Sequence, residues 1–379
     1  MIHIYLDHAA TTTLRPAAKA AMDRAYETAN ANASGLHGPA RAAKNAMEAA
    51  REEAAELVGV ARPLDLIFTS GGTEADNLGV AGTSLASDRR TVVVSAVEHE
   101  AVIRSAESLS RFGYSLNVVP VDRSCRVSPG AVAEAVDADT AVVSVMAANN
   151  EIGVIQPLAD IVTAVKAVDS SVAVHTDAVQ AFVSENITME TTGADLLSLA
   201  AHKFGGPKGV GLLAVKSGIK VDPVLHGGGQ EAGRRSGTYN VAGIVGMVSA
   251  MRETVANREE LRMRVATERD AFEAVLADLW PHAAFNGDDV PRLVQHSHVH
   301  FPGILAETLL IRIDQVGLAA AAGSACQSGA VEPSHVLTAM GFSTVEAGEC
   351  VRFTFGWDTE PGTGVDAARR LAAVLGDLS

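Results

Sequence analysis

A lysine in a glycine-rich turn is the first residue of this sequence that could do covalent chemistry. Lys203 lies within SLAAHKFGGPKGVG, shortly after an apolar run, and His202 precedes it. A lysine amine can form a Schiff base with a phosphorylated aldehyde, and His202 with nearby backbone N–H groups could hold the phosphate. An isolated lysine in such a turn is more often a solvated surface residue. This segment alone therefore only suggests the chemistry.

Three more segments carry polar residues directly after apolar runs. In FTSGGTEADN, Gly72 and Thr73 open a predicted helix whose first N–H groups could hold a phosphate. In VHTDAVQ, Asp177 could pair with a protonated ring nitrogen, and in VEHEAV, His99 could lie against an aromatic ring. Each has a plain structural alternative when taken singly: a capping threonine, a capping aspartate and a partly buried histidine. Their recurrence at successive strand ends favours one shared site.

Cysteine usage and the N-terminal segment indicate the cellular setting. The three cysteines, Cys125, Cys326 and Cys350, are too few and too scattered for a disulfide framework or a CxxC metal cluster. We therefore expect a reducing, cytoplasmic setting and no metal site. The segment MIHIYLDHAATTT has no basic stretch followed by an apolar run, so we expect no signal peptide. Since no window approaches ~20 uninterrupted apolar residues, we also expect no membrane span.

Size and charge limit the possible functions. The 379 residues suit two globular domains, or one large domain with a smaller companion. The formal net charge of −15 makes nucleic acid an unsuitable direct substrate, because an acidic surface repels phosphate backbones. We expect a small-molecule enzyme.

The elements that must position these residues follow an alternating pattern from about residue 15 to 260. Ala40–Val58 has the periodicity of an amphipathic helix. Short buried strands are predicted at 65–69, 91–95, 116–121, 141–146 and 172–176. Most are separated by enough residues for a helix, which predicts parallel strands. Such sheets bind ligands beyond the carboxyl ends of their strands, where the polar residues above are expected to lie.

The fold class predicted from this pattern is α/β, with a mostly parallel central sheet flanked by helices and a smaller α+β domain. A long helix over about 242–280, with a solvent-facing charged middle at 252–269, is expected to lead into the smaller domain. That domain contains predicted strands at 297–301 and 351–355. The predicted boundaries are 15–255 for the large domain, and 1–14 with 256–379 for the small one.

The motifs, taken in order, resemble those of the NifS/IscS-type cysteine desulfurases, in the class V aminotransferase branch of the fold-type I pyridoxal-phosphate enzymes. They run nearly end to end as YLDHAATT, NASGLH, FTSGGTEADN, VEHEAV, NNEIG, TDAVQ, AHKFGGPKG, HGGGQE, RRSGT, GSACQS and VRFTFG. The resemblance implies that the large domain binds pyridoxal 5′-phosphate and that L-cysteine is converted to L-alanine. It also implies a homodimer and a sulfur-acceptor or iron–sulfur scaffold protein as partner.

The resemblance further implies a role for each residue of the site. Lys203 is expected to bind the cofactor covalently, His99 to stack on its ring and assist proton transfer, and Cys326, in a loop at about 322–333, to accept the sulfur as a persulfide. The expected cofactor-binding residues are Gly72, Thr73, His99, Asn150, Asp177, Gln180, His202, Lys203 and Thr238, the last reaching across from a second subunit. Arg352, with Asn150, is expected to bind the substrate carboxylate, which suits a planar guanidinium.

Two details of the motifs qualify the resemblance. The family usually carries Ser or Thr two residues before the histidine of the HK pair, whereas this chain has Ala200, and losing that hydroxyl would weaken cofactor binding by roughly 1–3 kcal/mol if nothing replaces it. The segment GSACQSG resembles the first group of desulfurases, whose cysteine loop is long and flexible, and not the second group with its RxGHHC-like setting. Cys125 and Cys350 match no reactive motif and are predicted to be structural.

Several alternatives remain open from the sequence. A selenocysteine lyase or another class V enzyme would share the lysine, aspartate and phosphate motifs without needing a thiol at Cys326. A non-catalytic scaffold with the same fold is a further alternative. The sulfur could pass to iron–sulfur cluster assembly, tRNA thiolation or DNA sulfur modification.

Overall fold

A seven-stranded, mostly parallel sheet lies at the centre of the computed structural model, which describes residues 3–323 and 333–378. The strands are β1 Ile4–Tyr5, β2 Leu66–Thr69, β3 Thr91–Ser95, β4 Ser115–Val119, β5 Thr140–Ser144, β6 Ala173–Asp177, β7 Leu196–Ala200, β8 Gly211–Val215, β9 Ala284–Phe285, β10 His296–His300, β11 Leu318–Ala319 and β12 Cys350–Thr354. The central order is β2-β8-β7-β6-β5-β3-β4. Only β8 runs against its neighbours in this sheet. The predicted fold class is confirmed.

Continuous burial explains why the central strands form. Every residue of β2, β3, β5, β6, β7 and β8 is buried, as expected for a sheet covered by helices on both faces. The predicted strands lie within one or two residues of the observed ones. Strand β8 was not predicted, and because it is antiparallel to β7, the turn between them is the short loop that carries Lys203.

The α-helices cover the sheet and build the smaller layer. They are α1 Pro16–Thr28, α2 Gly38–Val58, α3 Gly72–Asn77, α4 Thr83–Leu85, α5 Glu100–Ser108, α6 Pro129–Ala135, α7 Leu158–Val168, α8 Met189–Thr192, α9 Val241–Ala256, α10 Arg258–Leu279, α11 Ala306–Gln315, α12 His335–Ala339, α13 Thr344–Ala347 and α14 Thr363–Leu378. A π-helical turn, Leu78–Gly82, joins α3 to α4. The predicted helix at 40–58 corresponds to α2, which begins after His37 and ends at Gly59 in a left-handed conformation.

The single long helix predicted over 242–280 is wrong. Asn257 adopts φ −109° and ψ 13°, which ends α9 and starts α10. The expectation that its charged middle faces solvent is also wrong in part, because Arg258 and Glu268 are buried. The carboxylate of Glu268 accepts the N–H groups of Gly362 and Gly364 at 2.9 and 2.8 Å, so it fixes the start of α14.

Two smaller sheets join the ends of the chain. Strands β12, β10 and β9 form an antiparallel sheet, and β1 pairs in parallel with β11. A hydrophobic cluster separate from that of the central sheet fills this region, drawing on β1, α10, α11, β12 and α14. We propose that residues 15–255 form a large domain and that residues 1–14 and 256–379 form a small one, and this separate cluster supports the division.

Candidate active site

A cavity of about 210 Å³ lies beyond the carboxyl ends of the parallel strands. It is lined by the loops that follow β2, β3, β5, β6 and β7, together with the N-terminal segment and β12. All the site residues predicted from the sequence line it except Thr238 and Cys326. Side chains spread over 280 positions of sequence therefore meet in one place, as strand ends of a parallel sheet should.

The phosphate end predicted from the sequence is the start of α3. Gly72 packs so closely on β7 that an added Cβ would lie 3.2 Å from the Cβ of Ala200 and 3.2 Å from a methyl group of Val179. Thr73 lines the cavity beside it. The helix start carries free N–H groups, a suitable setting for an anion. Ala200 itself lines the cavity, so the missing hydroxyl noted in the sequence lies at this end of the site.

Asp177 lies at the end of β6, deep in the cavity. Its Oδ1 accepts the N–H of Val179 at 2.9 Å, and it forms no ion pair with another described residue. Burial raises the pKa of Asp177, while His99, the Val179 N–H and Lys203 act to lower it. This buried carboxylate has no directly paired cation among the described residues, and a protonated ring nitrogen of a ligand would supply one.

Lys203 and Gln180 converge on the N-terminal segment. The Lys203 Nζ donates to the carbonyl of Ala9 and, at 2.9 Å, to that of Ala10. The Gln180 Nε2 donates to the same Ala9 carbonyl at 2.8 Å. The sequence analysis did not assign these two carbonyls to the site. Their signal was the motif YLDHAATT, which was recognised but given no role.

The two predicted histidines are both held in their neutral form. Burial lowers the pKa of His99, and its Nδ1 accepts the N–H of Ala101 at 3.1 Å at the start of α5. The proton of the neutral ring is therefore on Nε2. Burial, then Lys203 and Lys208, lower the pKa of His202 to about 4. Its Nδ1 lies 3.2 Å from the Thr11 hydroxyl. At neutral pH the His99 ring can thus offer its Nε2–H to a ligand, while the neutral His202 ring carries one N–H and one lone pair.

Arg352 on β12 faces the cavity from the side opposite the central sheet. Its side chain is 2% exposed. Its Nη1 donates to the Asn150 carbonyl at 2.9 Å and its Nη2 to Asp7 Oδ1 at 2.8 Å. Its buried Nε has no hydrogen-bond partner among the described residues. The guanidinium is thus rigidly held by two of its five N–H donors, and further N–H groups are left for a ligand. Asp7 was not predicted, although it lies within the YLDHAATT motif.

Two predicted residues lie elsewhere. Thr238 is exposed and lines a different cleft, beside Tyr26 and Asn30. Cys326 lies outside the described residues. The nearest described residue before it, Gly323, contacts Glu151, and Ser334 beyond it donates to Glu151 Oε2 at 2.6 Å.

The other two cysteines are buried within the fold. Burial raises the pKa of the Cys125 thiol well above its ordinary value and that of Cys350 to about 12. Both thiols therefore stay protonated at neutral pH. A thiol in this state is a poor nucleophile, which agrees with the structural reading of both.

Comparisons with known proteins agree with this geometry. The model of the aminotransferase class-V family matches residues 4–362. The chain is 38% identical to "Putative cysteine desulfurase IscS 1" of Bacillus subtilis, covering all of both chains. It is 41% identical to "IscS-like cysteine desulfurase" of Mycobacterium tuberculosis, covering 96% of this chain and 94% of that one.

Solved structures give the same result. A "NIFS-LIKE PROTEIN" superposes with a TM-score of 0.91 at 32% identity, covering 99% of this chain and 100% of the other. The family model, the relatives and the solved structure each match nearly the whole chain. The resemblance inferred from the motifs is therefore confirmed. The chain belongs to the aminotransferase class-V family, within its NifS/IscS-like branch.

Proposed function

We propose that the protein is a pyridoxal 5′-phosphate-dependent cysteine desulfurase that converts L-cysteine to L-alanine and holds the released sulfur as a persulfide on Cys326. The observation that carries the proposal is the arrangement of Lys203, Asp177 and Arg352 around one cavity. An amine, an uncompensated carboxylate and a fixed guanidinium are the groups that an aldehyde cofactor and an amino-acid substrate require. The relatives named as cysteine desulfurases support the choice of substrate.

The residues present fit pyridoxal phosphate. Gly72, Thr73 and His202 would hold its phosphate, Asp177 its ring nitrogen and Gln180 its phenolic oxygen, while Lys203 would bind its aldehyde carbon. The buried Asp177 without a cation is the observation on which this fit rests. When bound, the cofactor supplies an electron sink that weakens the bonds around the amino-acid Cα.

The chain's own residues would orient the substrate and move its protons. Arg352 binds the substrate carboxylate through the guanidinium edge that includes its free Nε. The Lys203 Nζ, once released from the carbonyls of Ala9 and Ala10, removes the Cα proton. His99, which lines the cavity, would hold the ring and could donate its Nε2 proton to the substrate.

The sulfur step falls to Cys326. Its thiolate attacks the substrate sulfur, the Cβ–S bond of the substrate breaks, and the electron pair remains with the substrate carbon. Protonation of that carbon, together with the return of a proton to Cα, gives alanine, and the sulfur stays on Cys326 as a persulfide. Because the thiolate is the nucleophile, the rate should fall as the pH drops below the pKa of this thiol.

Alanine and sulfide production from L-cysteine with a reductant tests the proposal. The wild type should form both products, Cys326→Ala should form neither, and Cys125→Ala, a matched change at a buried thiol, should retain activity. Equal activity of wild type and Cys326→Ala would instead favour a lyase without a thiol nucleophile. Selenocysteine offered in parallel separates a selenocysteine lyase, which would use it in place of cysteine.

We also propose that the enzyme is a homodimer in which Thr238 reaches the partner's phosphate site. Thr238 is exposed and remote from its own cavity. Tyr26, which lines the same cleft as Thr238, is an aromatic side chain that is 56% exposed. An exposed apolar side chain beside Thr238 favours a surface that a partner covers.

Mixed dimers test this arrangement. A dimer of one Lys203→Ala chain and one Thr238→Ala chain would carry both lesions in one site and neither in the other. We expect this mixture to bind the cofactor at one site in two with wild-type affinity, whereas dimers of either variant alone are impaired at both. If both sites of the mixed dimer instead bound the cofactor as poorly as those of the single-variant dimers, Thr238 would act within its own chain.

We further propose a cytoplasmic enzyme that passes its sulfur to an acceptor or iron–sulfur scaffold protein. In the described part of the chain, no helix has the length and apolarity needed to cross a membrane. The net charge of −15 favours protein partners over nucleic acid. Affinity capture with the persulfide-loaded enzyme, against the Cys326→Ala variant, would identify the recipient.

A further inference from the structure

A second aspartate lies behind Asp177 without a compensating charge. Asp76, on α3, is 1% exposed and lines the cavity. Its Oδ1 has no hydrogen-bond partner among the described residues. The nearest basic atom is the Nε2 of His175, 3.7 Å away, and no lysine or arginine pairs with it in the described part. A negative charge on a carboxylate that is buried without a compensating group costs several kcal/mol, so the charged form of Asp76 is disfavoured.

The histidine beside Asp76 does not supply a positive charge. His175 is fully buried, with Nδ1 2.8 Å from the Ser144 hydroxyl and Nε2 2.9 Å from the Ser198 hydroxyl. Burial lowers its pKa to about 3. The ring is therefore neutral and bridges the two hydroxyls. Glu98, the other acid near Asp76, is buried as well, and burial raises its pKa to about 8.

Asp76 and Asp177 are close enough that their charges must be considered together. One carboxylate oxygen of each and a ring nitrogen of His99 all lie within 4.8 Å of one another. Two negative charges at this separation repel strongly in a water-poor interior, and burial penalises each of them further. The pair therefore keeps one proton at neutral pH.

The surroundings decide which aspartate carries that proton. Asp177 accepts the Val179 N–H and faces Lys203 and His99, all of which favour its charged form. Asp76 has only the Ser198 hydroxyl to favour charge. Burial first, and then Asp177, raise the pKa of Asp76 well above its ordinary value. The proton therefore lies on Asp76.

We propose that Asp76 is a positioning residue of the active site: a neutral carboxylic acid behind Asp177 that leaves Asp177 as the single negative charge at the base of the cavity. The inference rests on the proposed function, because one negative charge there matches one protonated ring nitrogen. A second charge would double the negative potential at the ring and move the pH at which the bound cofactor and Lys203 exchange protons.

Infrared difference spectroscopy of the enzyme tests the protonation state directly. The wild type at neutral pH should show a protonated-carboxyl band that shifts in D₂O and is missing from Asp76→Asn. In Asp177→Asn, the same band should disappear at a lower pH than in the wild type, because the neighbouring charge is gone. Identical spectra of the wild type and Asp76→Asn would overturn the proposal. So would an Asp76 band that disappears at the same pH in Asp177→Asn as in the wild type.

A second measurement uses the absorbance of the bound cofactor as a function of pH. If Asp76 is neutral, Asp76→Asn should leave the midpoint of this titration within about 0.3 pH unit of the wild type. If Asp76 were charged, the neutral amide would lower the midpoint by about one unit or more, which would refute the proposal. Asp177→Asn should lower it by at least that amount, so the same substitution should shift the midpoint at Asp177 and leave it unchanged at Asp76.

A third variant covers the case in which Asp76→Asn does not fold. Ser198→Ala removes the hydroxyl on Asp76 and should shift the frequency of the protonated-carboxyl band, whereas an unchanged band would contradict the assignment. None of these measurements needs turnover. A wild type that binds the cofactor but makes no alanine would therefore defeat the proposed function and still report the charge of Asp76.

Discussion

Replacing Arg352 with lysine should separate the geometry of the substrate site from its charge. Two protein groups fix the guanidinium, the Asn150 carbonyl at 2.9 Å and Asp7 at 2.8 Å, and the proposed function assigns its remaining N–H groups to the substrate carboxylate as a third contact. Lysine keeps the positive charge, but its ammonium is a compact point charge on a stem that cannot present a planar fork. One of the three contacts must therefore be lost or weakened.

The expected magnitude follows from the value of one charged hydrogen bond. Such a bond contributes about 1.5–3 kcal/mol, and the ammonium will stay with Asp7 because an unpaired buried carboxylate costs still more. The lost contact is then the one to the substrate carboxylate. We expect Arg352→Lys to lower kcat/KM for L-cysteine by about 10- to 150-fold, mostly through KM.

Steady-state alanine formation across a range of cysteine concentrations provides the measurement. Arg292→Lys is the matched control, because Arg292 is also largely buried and pairs with Glu273 at 2.6 Å, but lies outside the cavity. It should leave kcat/KM unchanged. Thermal unfolding of both variants checks that the fold is intact. An Arg352→Lys enzyme with wild-type KM would refute the assignment of Arg352 to the substrate carboxylate.

Three further predictions concern the cofactor, pH and the core. Lys203→Ala should abolish both the absorbance of covalently bound cofactor and alanine formation. The control Lys220→Ala, at an exposed position, should change neither. Alanine formation by Lys203→Ala would show that Lys203 does not have the proposed role. The pKa of His175 is lowered to about 3, so the unfolded chain takes up its proton near pH 6.5 while the folded chain does not. Stability from this residue is therefore lost as the pH falls, by about 2 kcal/mol between pH 7 and 5, and urea titrations should show a smaller loss for His175→Asn. Arg51→Met should destabilise the protein by about 3–5 kcal/mol in the same assay, because it leaves Glu231 buried and uncompensated, and Glu231→Leu in the same chain should restore most of the loss.

The fold was predictable where burial makes strands continuously apolar. Segments such as TVVVS and AVVSV carry their own signal, and the structure places β3 and β5 there. The break at Asn257 was not visible, because helical periodicity continues on both sides and only the backbone angles at one residue mark it. The antiparallel direction of β8 was equally hidden, since direction depends on where a short connection returns and not on the strand's own residues.

The site was predictable where function requires a particular residue after a strand. The motifs around Lys203 and Asp177 pointed to one cavity, which the structure contains. Asp7 and Asp76 were not singled out, because an aspartate in a loop or a short helix has many ordinary uses. Their importance arises from three-dimensional proximity: Asp7 contacts Arg352 from the other end of the chain, and Asp76 lies near Asp177 from the neighbouring helix α3. Neither contact leaves a periodic trace in the sequence.

The attachment of the N-terminal segment to the C-terminal part has a consequence for biosynthesis. Strand β1 pairs with β11, and the Ala9 N–H donates to Thr354 Oγ1 across 345 positions of sequence. The central sheet needs none of these contacts and can form while the chain is still being translated. Ala9, whose carbonyl receives Lys203, gains this additional anchor only after Thr354 has left the ribosome. Cofactor loading should therefore be a late, post-translational event, and chains stalled before this point should be compact yet unable to retain pyridoxal phosphate.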